Sequence, residues 1–82
     1  MKRMLRYDSK GKKSHQLSIP VGSDLLLHDT GFGYQVYNLA FEVAEWLKTN
    51  CSEDYRVIPS RWNCDIHFQS ERDATLFWTF HA

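Results

Sequence analysis

From Trp62 to Phe68 the chain alternates without a break. Trp62, Cys64, Ile66 and Phe68 fall on one side, and Asn63, Asp65 and His67 on the other. A period of two with one apolar face predicts a half-buried β-strand. The same period runs through "HQLSIPV" (15–21), where Leu17, Ile19 and Val21 share a face. "MKRMLRYD" alternates more loosely, and "SKGKKS" (9–14) places Gly11 among polar turn formers. Together they predict an N-terminal β-hairpin with a lysine-rich tip. Pro20 has no N–H to donate, so it belongs at a strand end or edge. "DYRVIPS" (54–60) predicts a further short strand, closed by Pro59.

The period changes between residues 35 and 50. Val36, Leu39, Ala40, Val43 and Leu47 stand at i, i+3, i+4, i+7 and i+11. That stripe predicts an amphipathic helix over about 35–50. Tyr37 and Phe41 widen its apolar face as an i,i+4 pair. Glu42, Glu45 and Lys48 mark its wet side, Trp46 lies at the stripe's margin, and Asn50 supplies a stop. The preceding "GSDLLLHDTGFGY" (22–34) fits either a short strand or one helical turn capped by Ser23. Its "GFG" lacks the spacing and the Lys-Ser/Thr ending of a phosphate loop.

At the C-terminus Ser70 and Asp73 have the spacing of a capping box, which starts a helical turn at 71–73. From Thr75 to Phe80 the residues are mostly aromatic or β-branched, and these favour a strand. In that strand Leu76, Trp78 and Phe80 point one way and Phe77, Thr79 and His81 the other. The alternative is one helix over 71–80 with Ala74, Phe77 and Trp78 facing the core. The fold class that follows is α+β: an N-terminal β-hairpin, and one helix packed on an antiparallel sheet that ends in a C-terminal β-meander.

Eighty-two residues make one domain. A chain of this size buries only about 60–65% of its unfolded surface. Its twelve Phe, Trp and Tyr residues offset that deficit, since each buries roughly 150–250 Å². So small a core leaves some aromatics at the surface, where they favour binding. The formal net charge is zero but unevenly placed. Residues 1–13 carry Lys2, Arg3, Arg6, Lys10, Lys12 and Lys13 against Asp8, whereas residues 14–82 carry four basic and nine acidic side chains. A basic arm on an acidic body either meets phosphates or folds back on that body. No apolar run reaches membrane-spanning length, and the charged start lacks a secretory h-region. Cys51 and Cys64 are too few for a disulfide framework and are expected to be reduced thiols.

Candidate chemistry is sparse. Cys64 and His67 lie three apart in an alternating strand, so they face opposite sides and make a poor metal pair. Asp65 and His67 share the polar face, with Thr79 or His81 expected from the next strand. That is acid–base material without a nucleophile motif or a paired carboxylate. The sequence therefore leads to no enzyme, no cofactor and no metal. Tyr, Trp and Arg dominate interface energetics, and Tyr34, Tyr37, Trp46, Arg61 and Trp62 are the candidates for protein binding. Nucleic-acid binding is the alternative. It would use Lys2, Arg3, Arg6, Lys10, Lys12 and Lys13 of the basic hairpin, aided by Tyr7, Arg56, Arg61 and Trp62.

The last twenty residues carry a resemblance. Phe68, then the acidic turn, then Asp73-Ala74 and Phe77, followed by Trp78-Thr79-Phe80, is similar to the C-terminal pattern of small bacteriophage accessory proteins. Members often have a basic residue soon after that Phe, where this chain has Trp78 and Thr79. The resemblance implies a phage-encoded protein in the host cytoplasm that binds a host bacterial protein and inhibits or redirects it, a defence component being one such target. It implies no catalytic or ligand residue. No membrane partner is expected, and an uncovered sheet face is compatible with a homodimer.

Overall fold

The computed structural model describes residues 2–7, 13–29 and 35–81. Strands β1 (Lys2–Tyr7) and β2 (Lys13–Pro20) form the expected N-terminal hairpin. Strands β3 (Leu26–Asp29) and β4 (Val36–Leu39) form a second, separate hairpin. Helix α1 (Phe41–Asn50), strands β5 (Tyr55–Pro59) and β6 (Asn63–Phe68), and helix α2 (Glu71–His81) complete the chain. The main sheet has the order β1-β2-β6-β5 with every neighbour antiparallel. The class is α+β, with α1 and α2 packed on one face of that sheet.

The register makes the core one-sided. His15, Leu17 and Ile19 of β2 stand opposite Phe68, Ile66 and Cys64 of β6, which in turn oppose Tyr55, Val57 and Pro59 of β5. Leu17, Ile19, Cys64, Ile66 and Phe68 are fully buried. Each large apolar side chain so buried contributes roughly 1.5–3 kcal/mol. Against this face α1 lays Val43 and Leu47, and α2 lays Ala74 and Phe77. Phe77 joins the layers: its ring lies 5.8 Å from that of Phe68 and 5.6 Å, edge-on, from that of Trp46.

Between β2 and β3 the backbone turns sharply, with Ser23 N–H donating to the Pro20 carbonyl. Gly22 occupies the third position of this turn at φ +95°, where any side chain would be strained. Leu25 and Leu26 then pack on the core, and the Leu25 carbonyl accepts the Ala40 N–H at 2.8 Å.

Two expectations are corrected. The helix begins at Phe41 rather than near residue 35, because Val36–Leu39 pairs with β3. Leu39 and Ala40 are buried as the stripe required, but from a strand and the residue before the helix. Phe41, expected beside Tyr37 on the apolar face, is instead 74% exposed. The C-terminal segment is the helix of the alternative reading, so the expected C-terminal meander is replaced by the β5–β6 hairpin followed by α2. Ser70 does cap it: its Oγ accepts the Asp73 N–H at 3.2 Å. Ala74 and Phe77 face the core and Trp78 is partly buried, the 3.6-residue stripe that a strand would have split.

Candidate interaction site

The β5–β6 connection is held by one serine. The Ser60 carbonyl is taken by the Tyr37 N–H at 2.8 Å, the single bridge joining the two sheets among the described residues. The hairpin turn therefore closes through the Ser60 side chain. Its Oγ accepts the N–H groups of Trp62 (3.3 Å) and Asn63 (3.1 Å) and lies 2.8 Å from both the Asn63 carbonyl and Oδ1. The Ser60 N–H donates to the Asn63 carbonyl at 3.0 Å. Arg61 and Trp62 are left at the tip, and Trp62 is 79% exposed, the highest value among the large apolar residues described. The sequence set Trp62 on the inward face with Cys64. The strand starts one residue later, so Trp62 belongs to the turn.

Tyr37 is half-buried on β4, with its ring 5.2 Å from that of His28 across the hairpin. His28, Gln35, Tyr37 and Arg61 line one open depression of about 330 Å³. Three sequence candidates, Tyr37, Arg61 and Trp62, thus converge where the two sheets join. Trp46 does not belong with them. It sits on the α1–α2 seam, with ring contacts to Phe77, Phe80 and His81. Tyr34 lies outside the described residues. His28 went unread in the sequence, since only the register with Tyr37 reveals it. The tip itself was signalled: "PSRWN" sets Ser and Asn, both turn formers, between two alternating runs.

Of the N-terminal cations, Lys10 and Lys12 lie outside the described residues. Lys13 is exposed at the start of β2 and lines a depression with Glu53, Asp54 and Gln69 of the acidic body. Lys2, Arg3 and Arg6 belong to the backbone of β1, in register with Ser18, Leu17 and Ser14.

The remaining candidates are dispersed. Asp65 and His67 share the helix-free face, but Thr79 and His81 belong to α2 across the core, so no acid–base group assembles from them. Cys64 is buried on the face opposite His67. Burial, reinforced by the nearby Asp65 carboxylate, pushes its thiol up to about 12. Burial and Asp73 push Cys51 up to about 11. Neither thiol is a nucleophile at neutral pH. Among the described residues no three His, Cys, Asp or Glu side chains are grouped to hold a metal ion. No described helix is long and apolar enough to cross a membrane.

Comparison with protein-family models, curated proteins and solved structures yields no match to this chain.

Proposed function

We propose that this chain is a non-catalytic binding protein of the bacteriophage accessory kind, which engages a host bacterial protein and inhibits or redirects it. The observation that carries the reading is Trp62. An indole this exposed loses apolar hydration only when something covers it, and tryptophan is the side chain most enriched at interface hot spots. Its backbone is already fixed by Ser60, so little ordering cost remains on binding. Arg61 beside it and the Tyr37–His28 pair below it supply the polar surround that such anchors have.

The test is capture from nuclease-treated bacterial lysate by the tagged protein, alongside Trp62→Ala. The expected result is one stoichiometric protein band retained by the wild type and lost with Trp62→Ala. A band that persists with Trp62→Ala, or no band with either, overturns the assignment of the tip.

A further inference from the structure

We infer that the outer surface of the helical layer pairs two copies of this chain, α2 against α2, about a two-fold axis at Leu76. The two helices of one copy run antiparallel. Asp73, near the start of α2, binds Ser52 just beyond the end of α1, and Phe80 and His81 at the other end of α2 meet Trp46. Ala74 and Phe77 bury the inner side of α2. On its outer side Arg72, Leu76 and Phe80 stand four residues apart and form one row. All three are exposed, and Phe80 keeps 68% of its surface open although its ring lies 5.4 Å from that of Trp46.

The row is complementary to itself reversed. It reads cation, aliphatic, aromatic, so a reversed copy sets Leu76 on the partner's Leu76 and Arg72 on the partner's Phe80. The second contact is a cation–π pair. Helix dipoles favour the same arrangement. Arg72 lies in the first turn of its own helix, where a cation is disfavoured, and its ion pair with Asp73, at 3.4 Å, uses one nitrogen of its fork. In the reversed pair it reaches the C-terminal turn of the partner's α2, where a cation is stabilised. Glu42 lies one turn before Trp46 on the same face of α1, and so at the Phe80 end of the layer. Each Arg72 therefore also approaches the acidic end of the partner's α1. A parallel pair would set Arg72 against Arg72 instead.

Other occupants fit less well. A separate protein needs no reversal symmetry in the row, and the row has it. Glu42, Glu45 and Glu71 of the same layer repel an anionic membrane or a nucleic acid. The size of the row sets the strength of the pair. Helix α2 has 11 residues, so it is about 16 Å long. That is short for an interface of standard size, about 800 Å² per partner, and the pair is expected to be half-formed at roughly 0.1 mM. Trp62, in the β5–β6 turn, takes no part in the row, so pairing and the tip contact are independent.

The test is sedimentation equilibrium of the full chain from about 10 µM to about 1 mM. The average mass is expected to rise from the 9.7 kDa of one chain toward twice that value. Leu76→Glu sets two carboxylates on the axis and is expected to weaken the pair at least about tenfold. Arg72→Glu is expected to weaken it in the same direction, and both variants are checked for folding by circular dichroism. Cross-linking reads the geometry. After mild oxidation Leu76→Cys is expected to give a disulfide-linked dimer, because a residue on the axis meets itself. Arg56→Cys, on the helix-free face of the sheet, is expected to give none. The inference is overturned by a mass that stays at 9.7 kDa throughout, or by self-association that survives both Leu76→Glu and Arg72→Glu. It is equally overturned if Arg56→Cys cross-links and Leu76→Cys does not, which would move the contact to the sheet. Trp62→Ala is expected to leave the pair intact, and dissociation with that variant would overturn the assignment to the helices.

Discussion

The Asp73 carboxylate, 1% exposed, is the clasp for the turn after α1: it accepts the Ser52 N–H at 2.9 and 3.1 Å and the Ser52 hydroxyl at 3.0 Å. The Glu53 N–H adds a further bond at 3.0 Å. One buried carboxylate on α2 thereby satisfies two backbone donors just beyond the C-terminus of α1 and ties the helices together. Asp73→Ala leaves these donors unpaired and is expected to cost about 3 kcal/mol. For a domain of this size that lowers the melting temperature by roughly 12–24 °C. Differential scanning calorimetry checks it.

Acid should act on the same clasp. Burial works to raise the Asp73 pKa, but the bonds from Ser52 and Glu53 and the Arg72 guanidinium outweigh it and hold the carboxyl below its ordinary 3.8. A depressed folded value means that the unfolded chain binds the proton more readily. The stabilisation is therefore complete above pH 3.8 and is lost as pH falls through the lower folded value. Thermal melts between pH 5 and pH 2 should show this acid limb, and Asp73→Asn should flatten it.

A second, earlier limb belongs to His81. Burial against Trp46 and Phe77 lowers its pKa from 6.5, partly opposed by the Nδ1–H bond to the Phe77 carbonyl at 3.2 Å. The folded state prefers the neutral ring, so stability is full above pH 6.5 and declines as pH falls below it. Melting curves from pH 7.5 to 5 should decline for the wild type and stay level for His81→Gln.

Both cysteines should resist alkylation in the native state. At pH 8 iodoacetamide is expected to leave Cys64 unmodified and Cys51 nearly so, with both reacting in denaturant, as read by intact mass. The buried Cys64 thiol, raised to about 12, and the partly buried Cys51 thiol, raised to about 11, hold almost no thiolate at that pH.

Where neighbours along the chain decided the structure, the sequence was a good guide. The strand expected over 62–68 appears one residue shorter, over 63–68, and the N-terminal hairpin, the Pro59 strand end and the Val43–Leu47 core of α1 appear as the periodicity required. The misreadings came where tertiary pairing outweighed local pattern. Val36, Leu39 and Ala40 satisfy helical spacing, and four strand residues are too few to display alternation against it. The partner that makes Val36–Leu39 a strand, Leu26–Asp29, is equally short and lies six residues upstream. In α2 the strand preference of Thr75, Phe77, Trp78, Thr79 and Phe80 gives way to the Ser70 cap and to burial of Ala74 and Phe77. Asp73 was read as half of a capping box. Its N–H does meet Ser70, but its carboxylate finds its partners about twenty residues upstream, beyond any local pattern. Of the candidate site, Tyr37, Arg61 and Trp62 were legible as residue types. Their convergence was not, because it depends on one bridge between Tyr37 and Ser60.

That convergence sets Trp62 apart from Trp46, and comparing the two is the most direct test of the central claim. Trp62→Ala and Trp46→Ala should be measured side by side for melting temperature and for retention, at low temperature, of the partner proposed for the tip. The expected pattern is reciprocal. Trp62→Ala melts within about 2 °C of the wild type, as exposed substitutions do, and binds at least about thirtyfold more weakly, the loss of a hot spot of about 2 kcal/mol. Trp46→Ala melts well below the wild type and, while folded, keeps its partner. Retained binding with Trp62→Ala, or loss of binding with folded Trp46→Ala, would contradict the account and move the contact to the α1–α2 seam.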